Sequence, residues 1–187
     1  MKHILFTLSF IFFTTSIFAQ TVVNMAGERQ NKHYENGQYY IKDINNYMQP
    51  YLGTWQYINV NTEFRITLTK VEMYHDVDTD YNIDYYIDGL LISYQKLENG
   101  IITFQSFPDT YPTGIIKEFG NLDMSFTDYD RNAEIFPLKL TLIPTGTLNE
   151  YNLKFKLDKF ERRNTYHDEH TNEPYFSVPN DIIMTKM

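Results

Sequence analysis

Tyr51-Leu52-Gly53-Thr54-Trp55-Gln56-Tyr57 holds the only tryptophan in a chain of 187 residues and stands where the hydrophobic pattern changes. Ahead of it, Ile41, Ile44, Tyr47, Met48 and Tyr51 fall at spacings of three, three, one and three. That spacing is one face of a short helix. Pro50 stops it, because the residue before a proline avoids the helical region. From Thr54 onward the period is two.

Phe64, Ile66 and Leu68 alternate with Arg65, Thr67 and Thr69, and Leu90, Ile92 and Tyr94 with Leu91, Ser93 and Gln95. Leu122, Met124 and Phe126 alternate with Asp123, Ser125 and Thr127. Phe136, Leu138, Leu140 and Leu142 lie opposite Pro137, Lys139 and Thr141, and Tyr151, Leu153, Phe155 and Leu157 opposite Asn152, Lys154 and Lys156. Half-buried antiparallel strands have this form, with one apolar and one polar face. Ile101 to Phe107 and Asp181 to Lys186 are weaker strands.

Turn residues separate these runs. Asn61-Thr62 is expected to turn the first hairpin, and Glu98-Asn99-Gly100 the next, since Asn and Gly accept positive φ. Pro108-Asp109, Pro112-Thr113-Gly114 and Pro144-Thr145-Gly146 mark loops. About eight successive strands with no long helix between them predict an all-β chain: an antiparallel up-and-down barrel with a short N-terminal helix. A two-sheet β-sandwich is the alternative. Residues 41–187 form one domain in this reading, preceded by a flexible lead over 20–40.

Residues 1–19 have the form of a secretion signal. Lys2 and His3 are basic, Ile4 to Phe13 is apolar apart from Thr7 and Ser9, and Ala19-Gln20 follows Ile17-Phe18. The apolar stretch is too short for a stop-transfer helix, so cleavage near Ala19 is expected, leaving no membrane span. Export to the periplasm or the extracellular space follows. The chain has no cysteine, which excludes a lipid-anchored cysteine, a disulfide and a thiol nucleophile. A net charge of −8 and the lack of any Lys/Arg run argue against nucleic acid as a partner. All 16 tyrosines follow the signal, and tyrosine fills a core while offering a hydroxyl at its rim.

Two clusters invite a metal reading. Asp76, Asp78 and Asp80 match the first three ligand positions of an EF-hand loop, but Tyr81 stands where glycine must turn and Ile87 where a glutamate must close the shell. A solvated tip between strands is the expectation. His167 and His170 are three apart, whereas a zincin helix needs spacing four with Glu after the first His. Their flanks, Asn164, Thr165, Thr171, Asn172 and Pro174, read as a loop. No Gly-x-Ser-x-Gly elbow and no glycine-rich phosphate loop occurs. No catalytic residue, metal site or cofactor is therefore assigned, and a non-enzymatic protein is expected.

Gly53-Thr54-Trp55 resembles the Gly-x-Trp that opens the first strand of lipocalins and fatty-acid-binding proteins. The resemblance implies that Gly53 lets the chain turn sharply into the strand and that Trp55 packs across the closed end of a barrel. A broader resemblance rests on Gly53 to Tyr57, Asn61 to Ile66, Asp88 to Gly100, Gly120 to Arg131, Leu153 to Glu161 and Val178 to Met184. In that order these phrases are similar to an uncharacterised family of small secreted bacterial proteins, a domain of unknown function. The likeness implies a secreted β protein and brings no activity and no functional residues.

Two functions fit such a chain ahead of a third, an enzyme on the barrel rim with carboxylates or His167 and His170 in acid–base roles, which nothing in the sequence brings together. One is lipocalin-like binding of a small apolar or amphipathic molecule inside a barrel lined by Phe64, Ile66, Leu68, Leu90, Ile92, Tyr94, Met124, Phe126, Leu138, Leu140, Leu153 and Phe155. The other is an envelope or extracellular protein with a packed barrel, acting through its surface on a protein or glycan. The twelve residues serve either as lining or as filling.

Overall fold

The computed structural model describes residues 20–26, 36–159 and 165–187. The expected signal, residues 1–19, lies outside the described residues. The chain is mostly β: β1 (Thr21–Asn24), β2 (Tyr39–Lys42), a 3-10 turn (Gln49–Tyr51), β3 (Gly53–Asn59), β4 (Thr62–Asp78) and β5 (Ile83–Glu98). Then come β6 (Ile101–Gln105), β7 (Ile115–Glu118), β8 (Asn121–Asp128), β9 (Glu134–Pro144), β10 (Tyr151–Leu157), α1 (Thr165–Glu169) and β11 (Ile182–Lys186).

One sheet holds all the strands, in the order β1-β2-β5-β4-β3-β11-β10-β9-β8-β7, with β6 also on β5. Pairing is antiparallel from β5 through to β7, while β1–β2 and β2–β5 are parallel. The all-β expectation holds. The closed up-and-down ladder does not: the path is open, and β7 pairs only with β8. One stretch of chain spans the gap. Residues 101–105 pair with β5, Ser106 and Asp109 donate their amides to Tyr94 and Ile92, and Leu90 and Thr113 exchange two hydrogen bonds. The chain then crosses at Gly114 (φ +112°) and pairs with β8 as β7. One stretch of chain thus serves two neighbours in turn, which leaves a seam where it changes sides.

The N-terminal part departs from expectation. The segment 20–40, read as a flexible lead, contributes β1 and the start of β2, and Met25 is buried. The expected short helix is instead a strand at Ile41 and one 3-10 turn at Gln49–Tyr51. The Asp43 carboxylate accepts the amides of Tyr47 and Met48, which holds the chain in turns where a helix ladder would otherwise form. The first hairpin turns on Val60-Asn61, since Thr62 already pairs with Asn59. Asn99 (φ 51°) and Gly100 (φ 78°) make the β5–β6 turn with both central residues left-handed, as expected.

The inward faces merge into one core. Trp55, Phe64, Ile66, Leu68, Leu122, Phe126, Phe136, Leu140, Leu153, Phe155 and Met184 are essentially sealed from solvent. Phe155 meets Phe64 and Phe126 edge-on, with ring centroids 5.4 and 5.6 Å apart, and Tyr94 packs on Phe126 at 5.1 Å. Edge-to-face pairs of this kind add about 0.5–1.5 kcal/mol each beyond the area they bury. Trp55 lies on β3 against Ile66 of β4, and its indole N–H donates to the Tyr51 carbonyl at 2.7 Å. That bond ties the 3-10 turn to the core.

Candidate functional site

The twelve inward residues named from the sequence are brought together, all within the one buried cluster. They pack against one another. Phe64, Ile66, Phe126, Leu140, Leu153 and Phe155 have at most 1% of their surface exposed. The larger clefts open on the outside of the sheet and touch this set only at Tyr94 and Met124.

Two buried carboxylates organise the fold around the core. Asp88 follows the inward parity of Leu90, Ile92 and Tyr94 and is fully buried. It accepts the Tyr40 hydroxyl at 2.5 Å, the Asp43 amide at 3.0 Å and the Met73 amide at 3.2 Å, with the Lys70 ammonium 3.7 Å away. The Met73 amide is available because β4 carries a bulge between Val71 and Tyr74, with Met73 at φ 52°. Asp88 thereby joins β2, β4 and β5. Asp128 extends the parity of Leu122, Met124 and Phe126 and is also fully buried. It accepts the Ser177 hydroxyl at 2.6 Å, the Ser177 amide at 3.0 Å and the Tyr94 hydroxyl at 3.2 Å. Burial first, and then the neighbouring carboxylate, pushes the Tyr40 and Tyr94 hydroxyls well above their ordinary range. Both aspartates act as structural latches, each accepting three hydrogen bonds from the fold.

Three of the surface clefts among the described residues bear on the question. A polar groove of about 440 Å³ lies over β3 to β6, lined by Thr54, Arg65, Thr67, Ser93, Gln95 and Gln105 among others. Its groups largely satisfy each other: Arg65 forks onto Glu63, Thr54 meets Thr67 at 3.0 Å, and Gln95 donates to Gln105 at 3.1 Å. A second cleft, about 420 Å³, lies beside the β9–β10 hairpin, where the Lys186 ammonium sits 5.3 Å over the Trp55 ring and 3.4 Å from the Pro50 carbonyl.

The third cleft, about 380 Å³, occupies the seam. Tyr85 and Ile87 of β5 form one wall, Asp123, Met124 and Ser125 of β8 the other, and Tyr111 to Gly114 the crossing between them. Two glycines make the crossing fit. A Cβ on Gly89 would stand 2.8 Å from the Pro112 Cβ, and Gly114 holds a φ that L side chains rarely adopt. Tyr111 stands edge-on to Tyr74 and donates its hydroxyl to Asp76. Burial, with Asp76 second, raises the Tyr111 hydroxyl well above its ordinary range. Asp123 is exposed and makes no hydrogen bond or ion pair among the described residues. The cleft therefore offers apolar and aromatic walls with one carboxylate whose oxygens are open.

Asp76, Asp78 and Asp80 do not share a task. Asp76 is buried on β4 against Tyr111; Asp78 accepts the amides of Asp80 and Tyr81 and shapes the β4–β5 tip. His167 and His170 lie on and just after the five-residue α1, where a loop was expected. His170 stacks on Tyr166 with centroids 4.2 Å apart, and His167 leans on Tyr175 at 4.7 Å. No group of three or more His, Asp or Glu able to hold a metal ion occurs among the described residues.

Asp88, Asp128, Tyr111 and Asp123 were not singled out from the sequence. The two latches carried a usable signal, namely an acid continuing the inward parity of an apolar run. Tyr111 and Asp123 carried none, because their meeting depends on where the crossing strand changes sides.

Residues 1–119 match the model of a family of unknown function. The match ends before the later phrases on which the broader resemblance was drawn, from Gly120 onward. No curated protein and no solved structure matches the chain.

Proposed function

The chain belongs to that family, DUF6705, and we propose that it is an exported, non-catalytic binding protein that takes a small amphipathic molecule at the seam between β5 and β8. One observation carries the reading: the interior is filled by its own side chains, while the seam leaves an apolar, tyrosine-lined cleft with polar groups at its edge. The site thus lies on the outside, where the chain from 101 to 118 changes partners. Export rests on the signal-like character of residues 1–19. Among the described residues no helix is long and apolar enough to cross a membrane.

A second reading, contact with a macromolecule, draws on exposed Ile58 and Val60 at the tip of one hairpin and Ile101 and Ile102 at the next, which the Asn99 amide bonds to the Asn61 carbonyl. The cleft is preferred because it combines apolar and aromatic lining with an open polar group.

Native and denaturing mass spectra of the exported protein test the proposal, alongside Ser125→Tyr, which fills the cleft from β8. A small molecule bound one to one, released on denaturation and lost in Ser125→Tyr, is the expected outcome. Occupancy that survives this substitution places the ligand elsewhere. A protein that arrives empty and takes up none of a panel of aromatic and aliphatic amphiphiles sinks the reading.

A further inference from the structure

We infer that the seam cleft is selective for an organic cation, an ammonium group carried on a short apolar or aromatic body. The inference rests on the cleft reading above and adds the charge of its occupant.

Three observations point the same way. The first is Asp123. It lines the cleft on β8, is exposed, and keeps its carboxylate free of hydrogen bonds and ion pairs among the described residues. Lys139 faces it across the β8–β9 ladder, yet the two form no ion pair. A ligand cation therefore meets a carboxylate that is not already neutralised. The second is the aromatic wall. Tyr85 and Tyr111 line the cleft, and an aromatic ring attracts a cation through its quadrupole. The Tyr111 hydroxyl is committed to the Asp76 carboxylate, which places a second acidic group at the hydroxyl end of that ring. The third is the field of the chain. The cleft is lined by no Lys or Arg, and the protein carries a net charge of −8, which favours approach of cations over anions.

Asp88 also lines the cleft, but its oxygens are taken by Tyr40, Asp43 and Met73, with Lys70 beside them. It is part of the scaffold behind the site. Asp123 is the group that discriminates, and Ile87, Pro112 and Met124 supply the apolar contact that holds the ligand body. The volume, about 380 Å³, suits a body of one ring and a short chain. The polar groove and the cleft at the β9–β10 hairpin lack the combination. In the polar groove Arg65 is the charged lining group, and in the cleft at the β9–β10 hairpin a protein cation, Lys186, already sits over the Trp55 ring.

Phenethylammonium, 2-phenylethanol and phenylacetate test this, since they share a body and differ in charge. Each is titrated into the exported, 15N-labelled protein while the amide spectrum is followed. The cation is expected to bind about tenfold more tightly than the alcohol, with the acid weakest. The amides that shift should be those of Tyr111, Thr113 and Gly114 on the crossing and Asp123 to Ser125 on β8. Asp123→Asn should reduce the advantage of the cation to about twofold or less while leaving the affinity for the alcohol in place. That internal control separates loss of charge recognition from loss of the fold.

Equal binding of alcohol and cation in the cleft overturns the charge selectivity and leaves the cleft reading standing. Cation-induced shifts confined to the β4–β5 tip, or an advantage untouched by Asp123→Asn, overturn the assignment to Asp123. Failure of all three probes to move the cleft amides overturns both readings.

Discussion

Trp55→Ala probes the joint between the core and the 3-10 turn. The indole is 1% exposed, so folding removes nearly its whole surface from water. Burial of a side chain this size, on the order of 150–250 Å², is worth about 4–6 kcal/mol at 25 cal/mol per Å². That is an upper bound, because an unfolded chain already buries part of the ring. Truncations of buried aromatics cost roughly 3–5 kcal/mol once the residual cavity is included. Removing the indole also removes the 2.7 Å bond to the Tyr51 carbonyl, worth about 1 kcal/mol, and loosens the turn that carries Pro50. A loss of about 4 kcal/mol is expected. With a urea m-value of about 2 kcal/mol/M the midpoint falls by about 2 M, and Tm drops by roughly 8–16 °C for a chain of this size. Far-ultraviolet circular dichroism is the assay, since the variant loses the only tryptophan and with it the native fluorescence signal. Trp55→Phe keeps a ring but loses the N–H, and should cost about 1–2 kcal/mol. A Trp55→Ala loss below about 1 kcal/mol at an unchanged m-value would refute the view that this ring seals the core.

Gly89→Ala places a Cβ 2.8 Å from the Pro112 Cβ and should destabilise by about 1–3 kcal/mol, with the shift in thermal midpoint as its measure. Asp128→Ala strips the acceptor from the Ser177 amide and hydroxyl and from the Tyr94 hydroxyl; a cost of about 3 kcal/mol and faster amide exchange at Ser177 are expected. Alkali should unfold the protein. The hydroxyls of Tyr40, Tyr51, Tyr94 and Tyr111 lie above the ordinary value of 10.0 in the folded state, burial being the main cause in each. Their stabilisation is thus complete below pH 10 and is lost as pH rises and the unfolded chain gives up its protons first. Absorbance at the phenolate band should rise for these groups together with the loss of circular dichroism; smooth ionisation with the fold intact refutes this.

Much of this protein is decided locally. The period of two in Phe64-Ile66-Leu68, Leu122-Met124-Phe126 and Leu153-Phe155-Leu157 determined both the strand and the face it buries, because successive side chains must point to opposite sides of a pleat. Asn99-Gly100 determined its own turn, because left-handed φ at both central residues is cheap for that pair. Tertiary structure decided the rest. A strand's period names its buried face but not its neighbours, so nothing local indicated that β1 and β2 would join in parallel or that residues 101–118 would serve β5 and then β8. Inward apolar residues read alike whether they enclose a cavity or fill it; only the meeting of Phe64, Phe126 and Phe155 at about 5.5 Å settles that the space is filled. The seam cleft exists because the chain changes partners at Gly114, which brings Tyr111 and Asp123 together from segments whose local patterns carry no trace of each other.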